Sequence, residues 1–263
     1  MAEATDEQRA RTLDRFAAHR QAWATNAALR KLYEEWYGRV RAQLPAAGLG
    51  PFIELGSGPG FAREFIPELQ LSDIVRAPWH DHAIDAATRL PFDDRSLGAL
   101  VLFDVLHHLA SPTTFFDEAA RVLVPGGRVI LCEPSVSPLS YPIYRWFHEE
   151  ALDMRVDPFV DASLSPDGTA VSKDPIESNQ AIPTLMFARA RGRATFARRF
   201  PTLTFRSLQR FAGPAYPASG GFGRAPLLPL VLWKGLHAIE TALPAVVFRA
   251  LGFRMLVVLE KSR

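Results

Sequence analysis

Two apolar runs, Ala99-Leu100-Val101-Leu102-Phe103 and Arg128-Val129-Ile130-Leu131-Cys132, proceed without the polar alternation of a half-exposed strand. Runs of that kind suit strands buried on both faces, which is the situation inside a parallel sheet covered by helices on each side. Between them, residues from Pro112 to Leu123 carry a helical pattern closed by Pro125-Gly126-Gly127. Phe52-Ile53-Glu54-Leu55 reads as the first strand, Ser72 to Val75 as the second, and Asp81 to Ile84 as the third. Leu203 to Leu208 and Arg254 to Glu260 read as the last two. Strands that alternate with helices predict an α/β fold built on a doubly wound sheet.

The flanks differ from this rhythm. Leu29, Leu32, Trp36, Val40 and Leu44 recur at spacings of three and four, which predicts an apolar helical stripe before the sheet. Leu13, Phe16, Ala17 and Trp23 suggest a shorter stripe ahead of it. From Pro134 to about Thr195 the chain is rich in proline, acids and serines, and it predicts an irregular insertion with short helices at Tyr144 to Leu152 and Ile182 to Ala190. Long connections of this type are often binding loops or lids. The predicted organisation is therefore an N-terminal helical cap over 1–48, a core over 49–134 and 196–263, and a lid or substrate insertion over 135–195.

Composition narrows the function. Lys plus Arg number 30 against 28 for Asp plus Glu, a formal net charge of +2, which argues against binding nucleic acid through bulk charge. The arginines at 189, 191, 193, 198 and 199 read as a solvated helix face. The single cysteine, Cys132, excludes an intrachain disulfide and a cysteine-rich metal site, and no metal is expected. The first residues carry charge and lack the apolar core of a secretory signal. The apolar stretch from Pro226 to Phe253 is interrupted by Lys234, His237, Glu240 and Arg249, too often for a bilayer span. A cytoplasmic protein is expected. The same stretch permits peripheral contact with a membrane surface.

The most informative segment is Phe52-Ile53-Glu54-Leu55-Gly56-Ser57-Gly58-Pro59-Gly60-Phe61, a strand followed by a glycine-rich turn and then the expected start of a helix. Glycines let the backbone turn sharply and let a ligand approach it, and a helix start offers free N–H groups. The dinucleotide fingerprint G-x-G-x-x-G/A fails, because Phe61 stands at its last position. A phosphate-binding loop fails as well, since no Gly-Lys-Ser/Thr follows. The acid-first pattern Glu54-x-Gly56-x-Gly58-x-Gly60 resembles motif I of class I S-adenosylmethionine (SAM) dependent methyltransferases, of the type 11 methyltransferase-domain family. Four further segments resemble that family in the expected order: Asp73 after the second strand, Ala83 to Phe92, Leu102 to Leu109, and Ala120 to Arg128 with its Arg-Val-Leu-Val-Pro-Gly-Gly. The resemblance covers about a third of the chain, from Phe52 to about Pro134. It departs where Arg76-Ala77-Pro78-Trp79-His80 leaves too little room for a helix between strands two and three, and where Gly98 replaces a frequent acid.

The resemblance implies a Rossmann-like, mostly parallel seven-stranded sheet with the last strand antiparallel. It implies a cofactor site made by Glu54, Gly56, Ser57, Gly58 and Gly60, with Asp73 on the ribose hydroxyls and Asp85 and Ala86 on the adenine. Phe103, through its backbone carbonyl, and Asp104 are implied at the methionine end. SAM would be the cofactor and S-adenosylhomocysteine the product. His107 and His148 are the candidate catalytic bases; being adjacent, His107 and His108 are not both expected to face the pocket from one helix. Tyr141 and Tyr144 are candidate substrate contacts, and Asn179 and Gln180 are either a helix cap or polar contacts on a ligand. The expected activity is methyl transfer to a small, hydrophobic molecule, with oxygen as the favoured acceptor. The alternatives are a SAM-binding protein that does not transfer methyl, and an RNA methyltransferase.

Overall fold

The computed structural model describes residues 6–46, 48–160 and 178–262. Seven strands form one sheet: β1 (Phe52–Leu55), β2 (Leu69–Asp73), β3 (His82–Ala83), β4 (Leu97–Phe103), β5 (Leu123–Pro134), β6 (Leu203–Phe211) and β7 (Arg254–Lys261). Their order is β3-β2-β1-β4-β5-β7-β6. The pairs β1–β2, β1–β4, β2–β3 and β4–β5 are parallel, and β7 runs antiparallel to both neighbours. This is the predicted Rossmann-like architecture. The strand order reverses at β1 and β4, so their carboxyl ends border the crevice where such sheets bind ligands.

Side chains alternate between two cores. Ile53, Leu55, Leu100, Leu102, Val129, Leu131 and Val257 point to one, where α3 (Pro112–Val122), the π-helical turn Thr184–Ala188 and α5 (Ala190–Arg199) cover them with Phe115, Phe116, Phe187 and Phe196. Leu69, Leu71, Val101, Phe103, Ile130, Cys132 and Leu256 point to the other. That second face is covered by α2 (Ala27–Arg41), the short α6 (Ala215–Ala218) and α7 (Leu230–Thr241), which contribute Leu29, Leu32, Trp36, Val40, Ala215 and Trp233. The predicted stripe at 29, 32, 36 and 40 is thus packed against the sheet, and α2 is a layer of the core. Asn26 starts it, its side chain accepting from Leu29 N at 3.0 Å. Helix α1 (Asp6–Thr25) precedes it and buries Phe16 and Trp23, while Ala17 of the suggested stripe is exposed.

Several expectations are corrected. β2 spans Leu69–Asp73, three residues earlier than predicted, because the Asp73 carboxylate accepts from Val75 N at 3.2 Å and bends the chain out of the sheet. The glycine turn is followed by one four-residue 3-10 turn, Phe61–Glu64, and Pro67 follows soon after. β5 begins before its Pro-Gly-Gly turn, which it absorbs as a bulge between the pairs Leu97–Leu123 and Ala99–Arg128. The predicted lid over 135–195 is not uniform. Its residues 161–177 lie outside the described residues, whereas Ala181, Ile182, Met186 and Phe187 belong to the sheet's core. The short helix α4 lies at Ser140–Trp146, ahead of its predicted position. Among the described residues no single helix is long and apolar enough to cross a membrane. Helix α7 nevertheless leaves Val231, Leu232 and Ile239 more than 60% exposed on its outer side.

The approach of α5 to the π-helical turn Thr184–Ala188 is the tightest backbone contact with the insertion. A Cβ on Gly192 would sit 1.9 Å from Leu185 O and 2.6 Å from Met186 O. Gly192→Ala should therefore destabilise the fold by about 3 kcal/mol, the upper end of ordinary overpacking. Urea unfolding checks this: the midpoint should fall at unchanged slope, and an unchanged midpoint would contradict the contact.

Candidate functional site: the glycine loop and the carboxyl ends of β1 to β4

The loop after β1 holds three left-handed glycines, Gly56 (φ 68°), Gly58 (φ 50°) and Gly60 (φ 81°). That conformation excludes other residues sterically, and two of the three positions are also crowded. A Cβ on Gly56 would meet Val105 at 2.5 Å and one on Gly60 would meet Trp79 at 2.5 Å, while one on Gly58 would meet only the Phe16 ring, at 3.6 Å. Hydrogen bonds fix the loop to β2. Ser57 N donates to Ser72 O at 2.7 Å, and Ser57 Oγ accepts from Ser72 N at 3.1 Å. Gly58 N donates to Asp73 Oδ2 at 2.9 Å. Gly58 O accepts from Trp79 Nε1 at 2.8 Å and from His80 Nε2 at 2.7 Å. His80 Nδ1 accepts from Ala77 N, which leaves the proton on Nε2. The expected row of free helical N–H groups is replaced by this pinned loop, because the helix after it is reduced to a single turn.

Two buried carboxylates stand beside the loop, and a third lies at the end of the next strand but one. Glu54 is buried; its Oε1 accepts from Tyr37 OH at 3.2 Å, and its Oε2 has no partner. Burial raises its pKa from 4.5 to about 7, with Asp73 adding repulsion, and hydrogen bonds from Ser57 and Tyr37 oppose the rise. Asp73, at the end of β2, is also buried and its pKa is raised by desolvation. Its two amide contacts leave further lone pairs on a carboxylate that offers about four sites. Asp85 lies just beyond β3, where its Oδ1 accepts from Ala87 N at 2.8 Å in an Asx turn beside buried Ala86. Between Asp73 and these residues Ile74 is 44% exposed. An exposed aliphatic residue at the end of a buried strand is a ready face for a flat ring, and the sequence reading had not used it.

At the end of β4, Phe103 packs between Tyr33 and Tyr37 with centroids at 5.2 and 4.7 Å. Asp104 follows at φ 59° and is paired with Arg254 Nη1 at 2.5 Å. Arg254, read from sequence only as the start of β7, is buried against the rings of Trp36 and Phe103 and donates to Cys132 O. A non-glycine residue in this conformation at a strand end marks a strained, over-determined position. Burial pushes the Cys132 thiol up to about 12.

The histidines gather on Glu150. His107 is buried, with Nδ1 2.7 Å from Glu133 Oε2 and Nε2 3.2 Å from Glu150 Oε2. Glu133 Oε1 accepts from Val105 N and Leu106 N. Burial pulls the His107 pKa down, but the two carboxylates outweigh it and raise it to about 10. His108 Nε2 lies 3.4 Å from Glu150 Oε1. The two rings therefore reach one partner, against the expectation for adjacent residues. They stand on a single 3-10 turn, Leu106–His108, and Glu150 presents one oxygen to each. With both nitrogens facing carboxylates, His107 does not suit the role of general base. His148 is joined to the same cluster through Gln180, whose Nε2 donates to His148 Nδ1 at 2.8 Å and to Glu150 Oε2 at 2.8 Å. Burial lowers the His148 pKa. Asn179 ties the segment down instead, its backbone N donating to His107 O and its side-chain Oδ1 accepting from Asp153 N.

Other candidates separate from the site. Tyr144 is buried and donates to Phe253 O at 2.6 Å, so it does not line a substrate pocket, whereas Tyr141 is 42% exposed. Arg193 lines an open depression with Arg39, Arg206, Arg210 and Arg249 along β6, the edge strand four places from β1 and its glycine loop.

Residues 53–131 match the model of a protein family described as a methyltransferase domain. The match covers about a third of the chain, the segment that holds the glycine loop and β1 to β5 up to Leu131. Relatives align with short parts of the chain. A demethylmenaquinone methyltransferase of Clavibacter sepedonicus is 45% identical over 53 residues, 20% of this chain and 22% of that protein. One from Streptomyces avermitilis is 31% identical over 113 residues, 41% of this chain and 45% of that protein. The chain thus spans less than half the length of these curated relatives. A Burkholderia thailandensis 1,6-didemethyltoxoflavin-N1-methyltransferase, solved with 1,6-didemethyltoxoflavin and S-adenosylhomocysteine, superposes with a TM-score of 0.48 at 13% identity, covering 97% of this chain and 87% of that one.

Glu54 gives the domain a measurable signature. Its folded pKa of about 7 exceeds its ordinary value of 4.5, so the folded state holds the proton between these pH values and loses stability as pH rises through them. Glu54→Gln should match the parent near pH 4.5 and exceed it at pH 8 by up to about 3 kcal/mol. Denaturant titrations at the two pH values test this, and equal stability at pH 8 would refute it.

Proposed function

We propose that the whole chain is a SAM-dependent methyltransferase acting on a small, hydrophobic acceptor, with oxygen the favoured atom. One observation carries the reading: Glu54, Asp73 and Asp85 stand at or just beyond the carboxyl ends of three neighbouring strands, beside a loop of three left-handed glycines. The site fits the cofactor. Glu54 Oε2 is a buried acceptor with no protein partner, and a cationic amino group is the natural one to satisfy it. Asp73 would take the ribose hydroxyls, Asp85 and Ala86 the adenine edge, Ile74 its face, and the Phe103 carbonyl the methionine end. When bound, SAM supplies an electrophilic methyl on a sulfonium.

The chain's own part is to position the acceptor and exclude water. Phe16 and Arg20 of α1 lie over the loop, Arg20 Nη1 donating to Pro59 O at 2.8 Å, so this helix forms a roof on the cofactor side. If the acceptor is a hydroxyl, His148 is the candidate imidazole to take its proton. The relatives named as demethylmenaquinone methyltransferases agree with a small-molecule acceptor.

Calorimetry with SAM tests the cofactor step. Binding should tighten by up to about tenfold per pH unit below 7 and level off above, because ionised Glu54 is the binding form. Asp73→Ala should weaken it by at least about tenfold, the loss of about 1.4 kcal/mol of hydrogen bonding. Absence of SAM binding would end the reading. Labelled methyl remaining on intact SAM in the presence of a bound acceptor would instead favour a non-transferring protein.

A further inference from the structure

We propose that His107, His108 and Glu150 form a divalent-metal site beyond the carboxyl end of β4, one that takes a borderline ion such as Zn²⁺ or Co²⁺ through two imidazole nitrogens and a carboxylate. The ligand atoms of the three residues all lie within 4.8 Å of one another. His107 Nε2 is 3.2 Å from Glu150 Oε2, and His108 Nε2 is 3.4 Å from Glu150 Oε1. Donors that share a tetrahedral zinc at 2.0–2.2 Å stand about 3.4 Å apart, so both imidazole–carboxylate pairs stand at coordination spacing. Nitrogen and carboxylate donors select this class of ion over the harder Ca²⁺ and Mg²⁺.

The surroundings are built for such a role. Glu133 sits behind His107, its Oε2 2.7 Å from Nδ1, which directs Nε2 toward Glu150. A carboxylate on the far nitrogen is the usual support of a metal-bound imidazole. Glu133 is itself fully buried and immobilised by Val105 N and Leu106 N. Gln180, also buried, orients Glu150 by donating to Oε2 at 2.8 Å. The alternative set Asp104, His107 and Glu133 is already engaged, since the Arg254 guanidinium occupies Asp104 and Glu133 spends its oxygens on two amides and His107. The His108 and Glu150 side chains are 20% and 15% exposed, so solvent reaches the proposed ligands. Three protein ligands leave one coordination position for water or for an oxygen of a small molecule. Resting on the methyltransferase reading, that molecule is the methyl acceptor, and a hydroxyl held there would ionise more readily.

The test uses the full-length protein after chelation, with Co²⁺ as the probe. One equivalent should bind with visible absorption typical of low-coordinate cobalt, and Zn²⁺ should bleach the band. His108→Ala and Glu150→Gln should abolish the band while far-UV circular dichroism shows the fold intact. Glu133→Gln, which preserves shape, should weaken binding about tenfold to hundredfold. No band at one equivalent, or a band that survives both ligand substitutions in folded protein, would overturn the site. SAM affinity of the chelated protein is measured in parallel: its loss there would count against the cofactor reading, and its retention without cobalt binding would count against the metal alone.

Discussion

The bond from Gly58 N to the Asp73 carboxylate fastens the turn after β1 to the end of β2. It acts on a residue that has no side chain to anchor it. With the amide held from one side, the carbonyl of the same residue is held from the other by Trp79 and His80. The loop keeps its left-handed glycines because both polar groups of its centre are engaged, and Glu54 and Asp73 stay close although their charges repel. Each of the two acids is raised in pKa mainly by burial, and the site therefore stores an unfavourable charge arrangement that a cation can relieve.

Around that loop the usual division of labour between crossover helices has shifted. Only a 3-10 turn follows β1, and no helix separates β2 from β3 or β3 from β4 among the described residues. The exposed apolar face this would leave is covered from elsewhere in the chain, by α2 from before the sheet and α7 from after β6. Asn26 links these distant parts, capping α2 while its Nδ2 donates to Ser219 O at 2.8 Å. Buried Glu240 of α7 likewise accepts from Gly213 N and Ala215 N.

The architecture was legible wherever the chain is buried on both sides. β4 and β5 declared themselves by uninterrupted apolar residues, and the stripe of α2 by its spacing. β2 was misplaced because Asp73 ends it through a side-chain bond to the backbone, which periodicity does not reveal. The family resemblance named Glu54, Asp73 and Asp85, and the sheet order sets them on three neighbouring strands. The histidine cluster was not legible: His107 and Glu150 are 43 residues apart, and their meeting depends on a one-turn helix and an irregular segment. Arg254 was hidden for a similar reason, since its partner Asp104 lies 150 residues away on another strand end. Tyr144 looked like a pocket aromatic, yet its hydroxyl serves the Phe253 carbonyl in the interior.

Cys132 is the chain's single cysteine; it lies near the carboxyl end of β5 with no exposed surface, beneath Arg254. A sulfur so placed reacts with an alkylating reagent only when the central strands part. Its rate of modification is accordingly a clock for opening of the sheet, one that needs no engineered label and that any ligand seated above β4 would slow.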